Sequence, residues 1–122
     1  MPVTYRFDSR IIIIEMVREY SLDEIRQTLL NALADSSRPA HSCLLINLSE
    51  SQSIHKRSQE ELQSMVQFLA SLAERFNNRI AFVSSKDLPF GLARMMSVGS
   101  EDIGIITAVF RTFEEARKWL PT

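Results

Sequence analysis

Two histidines and one cysteine are the side chains here best suited to covalent or metal chemistry, and their spacing restricts what they can do. His41 follows Pro39-Ala40 and stands two residues before Cys43. A His-x-Cys pair is two ligands, whereas a structural zinc site takes four and the chain has no second thiol. Cys43 opens an apolar run, so its thiolate would be desolvated, its pKa raised and its nucleophilicity lost. His55 adjoins Lys56 and Arg57 and reads as part of a solvated loop. The three glycines form no phosphate-cradling loop. No converging acid, base and nucleophile can be assembled. The expectation is a non-enzymatic protein with no metal site and no cofactor.

A second set of residues suits binding. Ser49, Glu50 and Ser51 follow one apolar run; Ser84, Ser85, Lys86 and Asp87 follow another; Arg111 and Thr112 follow a third, and Glu19 and Tyr20 a fourth. In an open α/β sheet such positions gather at the carboxyl ends of the strands, where ligands sit and helix N-termini attract anions. Lys86 and Arg111 suit charge-assisted bonds to an anion. The structural alternative is that the serines merely finish strands and Lys86 pairs with Asp87 or Glu50. A third set, Phe90, Leu92, Met95 and Met96, places apolar side chains on more than one side of a helix. Methionine-rich surfaces adapt to varied partners. This helix is the candidate partner surface or dimer contact, and simple burial is its alternative. Arg94, among these apolar neighbours, either snorkels to water or pairs with an acid such as Asp102.

The elements that must position these residues follow from periodicity. Val3, Tyr5 and Phe7 alternate with Thr4, Arg6 and Asp8, which predicts a half-buried edge strand. Asp8-Ser9-Arg10 is short enough for a hairpin turn. Ile11 to Ile14, continuing to Met16 and Val17, predicts an antiparallel second strand, since β-branched residues fit a pleated surface. Ser21-Leu22-Asp23-Glu24 is a capping box for a helix that shows Leu22, Ile25, Leu29 and Leu33 on one face and ends near Ala34. Cys43–Leu48 predicts a central strand with Asn47 as its one polar interruption, and 49–57 a polar loop. Ser58-Gln59-Glu60-Glu61 caps the longest predicted helix, whose stripe is Leu62, Met65, Leu69, Leu72 and Phe76 and which Asn77-Asn78 close. Ile80–Val83 is the unbroken apolar run of a strand covered on both faces. Asp87 then caps a helix with Pro89 at its second position, Leu92 and Met95 on one face, and Gly99 as its stop. Residues 103–110 predict the fifth strand. Thr112-Phe113-Glu114-Glu115 is a third capping box, opening a short helix with Phe113, Ala116 and Leu120 inward and Pro121 as terminator.

The predicted order is ββαβαβαβα. It implies one α/β domain over residues 1–122, with a single-layer, mostly parallel five-stranded sheet, an antiparallel N-terminal strand and four helices. A length of 122 residues fits one domain. A net charge of −1 with both signs spread evenly gives no electrostatic footprint for nucleic acid or an anionic membrane. No apolar run approaches the roughly 18 residues of a membrane span. MPVTYRFD lacks the basic-then-apolar order of a signal peptide, so a cytoplasmic location is expected. Ile11–Ile14 and Ile80–Val83 both require cover on two faces. Four helices supply it if they divide between the faces; if they crowd onto one, a second subunit must supply it, and a homodimer is expected on that ground.

Arg79-Ile80-Ala81-Phe82-Val83, then Phe90-Gly91-Leu92-Ala93-Arg94-Met95, then Val109-Phe110-Arg111, and finally Glu114 through Leu120, resemble the SpoIIAA-like branch of the STAS fold (sulphate transporter and anti-sigma factor antagonist). The resemblance spans most of the chain in element order and the last third in residues. These are core positions and caps, so they specify fold better than function. Anti-sigma factor antagonists carry an Asp-Ser-Ser/Thr-Gly motif between the third strand and second helix, with a phosphorylatable serine. The matching positions here are His55-Lys56-Arg57-Ser58, with no Asp-Ser pair. The phosphorylation switch is therefore unsupported, and Ser58 reads as a helix cap. The resemblance implies a regulatory or protein-interaction module. From another functional class, the alternative is a carrier or sensor holding an anionic or amphipathic small molecule at the strand-end rim.

Overall fold

The computed structural model describes residues 3–18, 21–51, 59–85 and 105–120. Five strands form one sheet in the order of the chain: β1 (Val3–Asp8), β2 (Ile11–Arg18), β3 (Cys43–Ser51), β4 (Arg79–Val83) and β5 (Ile106–Phe110). β1 pairs antiparallel with β2, from Val3 opposite Met16 to Asp8 opposite Ile11. The other neighbours are parallel. The described helices are α1 (Leu22–Ala34), α2 (Gln59–Ser71) and α3 (Phe113–Trp119), with a 3₁₀ turn at Ala73–Phe76. The helix expected after Asp87 lies outside the described residues. Among the described residues, no helix is long and apolar enough to cross a membrane.

The isoleucine block is buried on both faces because strand alternation sends it to two separate cores. Ile12 and Ile14 join Leu44, Ile46, Ile80 and Phe82 under Ile25, Leu29 and Leu33 of α1 and Met65, Val66 and Leu69 of α2. Ile11 and Ile13 join Cys43, Leu45, Ala81 and Val83 against Ala116 of α3 and Leu120 just beyond it. Each such aliphatic side chain, fully withdrawn from water, contributes about 1.5–3 kcal/mol. The described helices thus divide between the faces, the first of the two arrangements considered above.

Local chemistry sets the boundaries. The Ser21 hydroxyl accepts from the Glu24 N–H at 3.1 Å, and the Ser21 N–H donates to the Glu24 carboxylate at 3.1 Å, so the predicted capping box is complete. The box at α3 is half made: Thr112 Oγ1 accepts from the Glu115 N–H at 3.2 Å, but the Glu115 carboxylate meets the Thr112 hydroxyl at 3.0 Å rather than its N–H. Ser58 lies outside the described residues.

Three predicted boundaries are corrected. The long second helix stops at Ser71 and winds on as the 3₁₀ turn, which leaves α1 and α2 equal at 13 residues. Asn77 and Asn78 then take positive φ values of 58° and 56°, a conformation asparagine tolerates, and the Asn78 N–H closes onto the Ala73 carbonyl at 2.8 Å. β3 runs on through Ser49, Glu50 and Ser51 instead of ending at Leu48, since β2 still offers ladder partners at Val17 and Arg18. Pairing overrides polar composition here. β5 begins at Ile106; Ile105 is buried but outside the ladder, and residues 103–104 lie outside the described set.

Candidate functional site

The carboxyl ends of the four parallel strands do not finish level. β2 and β3 stay paired out to Arg18 opposite Ser51, whereas the β3–β4 ladder ends at Asn47 opposite Val83. A two-stranded ribbon therefore projects past the end of β4, and the sheet edge has a step. The register shifts within that ribbon. Glu15 lies opposite Asn47 and Val17 opposite Glu50, so Leu48 and Ser49 together face Met16 alone. This β-bulge sharpens the twist and re-aims the strand, a device frequent beside binding sites. No glycine marks it in the sequence, so pattern alone could not find it.

Of the predicted rim residues, the structure places Ser49 and Glu50 by backbone on the raised ribbon; their side chains are outside the described set, as are Lys86 and Asp87 entirely. Ser84 and Ser85 form the lower level. The Ser84 N–H donates to the Phe110 carbonyl at 3.0 Å, and Ser84 is fully buried, as expected of a residue finishing a strand. Ser85 is exposed. Arg111, exposed at the end of β5, donates from Nη1 to the Ser85 carbonyl at 3.4 Å and so bridges the ends of β4 and β5. The helix N-termini at this edge are partly occupied by their own caps: the Glu24 and Glu115 N–H groups are held by Ser21 and Thr112. The candidate partner surface, Phe90, Leu92, Met95 and Met96, and the Arg94–Asp102 pair lie outside the described residues.

Sequence reading passed over a polar row on the α3 face beside this step. Glu15 and Asn47 are lateral neighbours, with Asn47 next to Val83. They follow Ile13 and Leu45 on a face that is otherwise aliphatic. Arg6, on β1, donates from Nε to Glu15 Oε1 at 2.8 Å, and its guanidinium lies 5.6 Å from the centroid of the Phe113 ring. The signal was present: a glutamate interrupting a two-faced isoleucine strand, level with the one polar residue of β3.

The His-x-Cys pair sits at the opposite, amino edge. His41 is exposed with φ 56°, and Cys43 is completely buried. Burial pushes the Cys43 thiol pKa up, against smaller opposing effects of the Asn77 amide and the Arg79 charge. Asn77 Nδ2 donates to the His41 carbonyl at 2.7 Å and stands 4.0 Å from Cys43 Sγ. Among the described residues, no group of three or more His, Cys, Asp or Glu side chains could hold a metal ion.

The architecture has a counterpart among solved structures. It matches an uncharacterised protein of the DUF3478 family with a SpoIIAA-like fold, from Shewanella loihica PV-4, at a TM-score of 0.62 over 98% of this chain and 92% of that one. The fold is SpoIIAA-like. Sequence identity is 14%, so the likeness concerns fold alone. No protein-family model matches the sequence, and a search of curated proteins finds no match. In this chain that architecture is a mixed sheet with β1 antiparallel at its edge and helices on both faces.

Proposed function

We propose that this SpoIIAA-like protein is a cytoplasmic, non-enzymatic regulatory module that binds a protein partner at the stepped carboxyl edge of its sheet. The observation that carries the reading is the step itself. The β2–β3 ribbon stands beyond β4, and Ser85 and Arg111 form a polar ledge at its foot. Phe90, Leu92, Met95 and Met96, which follow β4 in the sequence, are the apolar residues this reading assigns to the partner contact. The inaccessible, proton-retaining Cys43 and its distance in the fold from the rim support the non-enzymatic part.

A step is also a recess, and with Arg111 beside it a small anionic or amphipathic molecule is the second reading. Native mass spectrometry of freshly purified protein separates the two. A co-purified small mass lost under denaturing conditions sinks the protein-partner reading. If no adduct is seen, affinity capture with the wild type, Arg111→Glu and the amino-edge variant Asn77→Ala tests it. The partner should be lost with Arg111→Glu and kept with Asn77→Ala; equal capture by all three rejects the carboxyl edge.

A further inference from the structure

β1 forms one lateral edge of the sheet. Which of its backbone groups face outward follows from β2. The Cys43 N–H donates to the Arg10 carbonyl at 2.9 Å, so Arg10 and the even-numbered residues after it serve β3, while Ile11, Ile13 and Glu15 serve β1. Their partners Asp8, Arg6 and Thr4 spend their backbone groups on β2. Val3, Tyr5 and Phe7 direct N–H and C=O outward, where no described residue meets them. The hydrogen bonds and ion pairs of Val3–Asp8 all run to described residues: β2 with its Glu15, Asp35, and Arg117. Tyr5 and Phe7 are only half-buried against the α1–α2 core, with ring centroids 5.7 Å apart, and Thr4 and Arg6 on the other face are exposed. Charges can keep foreign strands off an edge. The two on β1 are already paired within the chain, Arg6 with Glu15 at 2.8 Å and Asp8 with Arg117 at 3.2 Å.

We infer that β1 is a self-pairing edge: two copies of this chain join their β1 strands antiparallel about a two-fold axis at Tyr5. Tyr5 is the middle residue of the outward-facing set, so this register uses all three. Tyr5 meets its own copy and exchanges both N–H···O=C bonds, as a hydrogen-bonded antiparallel pair does, and Val3 of each copy does the same with Phe7 of the other. The half-covered rings gain cross-strand neighbours on the α1–α2 face: Tyr5 against Tyr5, and Phe7 against a β-branched valine. On the opposite face Thr4 lies across from Arg6 of the other copy, so no like charges are set directly opposite. A two-fold interface needs a surface complementary to itself, and this strand meets that requirement without a second kind of partner. The two five-stranded sheets become one sheet of ten. This inference stands apart from the proposed partner site, which lies at the strand ends rather than along β1.

Sedimentation velocity of the full chain across the micromolar range tests the association, and disulfide cross-linking tests its register. The expected result is a monomer–dimer equilibrium. Thr4→Cys and Arg6→Cys each place a thiol at an exposed position, and Cys43 is buried and takes no part. Across the axis, positions 4 and 6 form a non-hydrogen-bonded pair with Cα atoms about 4.5 Å apart, within disulfide reach. Like positions are diagonal, about 7–8 Å apart and beyond it. Mild oxidation of an equimolar mixture of the two variants should therefore give a reducible mixed dimer faster than either variant alone gives a dimer. Thr4→Lys sets a cation opposite Arg6 of the other copy, twice per dimer, and lysine on an edge strand is a device against pairing. It should keep the native circular dichroism and weaken the dimer by about tenfold. A monomer at every concentration overturns the inference. So does a dimer in which the mixture cross-links no faster than the single variants, or one that a folded Thr4→Lys leaves unchanged. Should Thr4→Lys fail to fold, the cross-linking comparison decides alone.

Discussion

The thiol of Cys43 offers a direct test of the two-core architecture. It lies at the start of β3, the middle strand, with zero exposure, and packs with Ile11, Leu45 and Ala81 under α3. A reagent in solution reaches it only when the sheet opens. For a central strand the opening free energy approaches that of global unfolding, about 5 kcal/mol or more for a domain of this size. Each 1.4 kcal/mol is about a factor of ten, so labelling by a disulfide reagent in native buffer should be at least about 4,000-fold slower than in denaturant. The pH dependence has a defined sign. Burial raises the folded-state pKa above that of the unfolded thiol. The protonated form is favoured in the fold, so the associated stability is fully present below about pH 8.5 and declines as pH rises toward the folded value. Thermal melts between about pH 8 and 9.5 should fall more steeply for the wild type than for Cys43→Ala. Native labelling within tenfold of the denatured rate would refute the burial argument, because it would mean that β3 is reached without opening the sheet.

Other substitutions separate structural polar groups from the rest. The Ser42 hydroxyl is buried without a hydrogen-bond partner, so Ser42→Ala should leave stability unchanged or raise it by up to about 1 kcal/mol in denaturant melts. Asn77→Ala loses both the tolerated positive φ and the bond to His41, and should cost about 2–3 kcal/mol; Asn77→Gly, which keeps the conformation, should recover part of that loss. The Asp35 carboxyl is held below its usual range by the Ser37 N–H at 2.8 Å and by the Tyr5 hydroxyl at 2.7 Å. Its stabilisation is present above the ordinary carboxylate pKa and lost as pH falls through the lowered one. Tyr5→Phe should therefore give melting temperatures that fall less steeply on acidification than those of the wild type.

The strands were legible because their apolar runs have no other stable interpretation. Four consecutive isoleucines cannot form one helical stripe without exposing others, so two-sided burial follows from composition. The α1 cap was legible for a similar reason: Ser21 and Glu24 have the side chains and spacing to satisfy each other's N–H groups. The carboxyl edge was less readable. Ser49-Glu50-Ser51 looks like a loop in isolation and is strand because Val17 and Arg18 lie beside it, a long-range pairing that local propensity does not encode. The bulge opposite Met16 and the Glu15–Asn47 row depend on register between strands some thirty residues apart in the chain, and register is set in three dimensions.

The two ends of the sheet use polarity for different purposes. At the amino end, polar side chains close helix ends and loops. Arg38 donates to the Arg75 carbonyl at 3.1 Å, Arg75 donates to the Leu33 carbonyl at 3.2 Å, Asn77 holds His41, and Tyr5 holds Asp35. The Arg79 guanidinium lies 5.7 Å from the centroid of the Trp119 ring. Helix ends leave carbonyls that must be satisfied, and these side chains satisfy them or brace the loops that do. Substitution there should register as lost stability. At the carboxyl end, strand β3 bulges at Leu48 and Ser49, with Leu48 kept in the α1–α2 core, and outruns β4. That step is the physical reason to look for recognition at the carboxyl edge, and to expect Arg111→Glu to alter binding, while its melting temperature reads separately what the bond to the Ser85 carbonyl contributes.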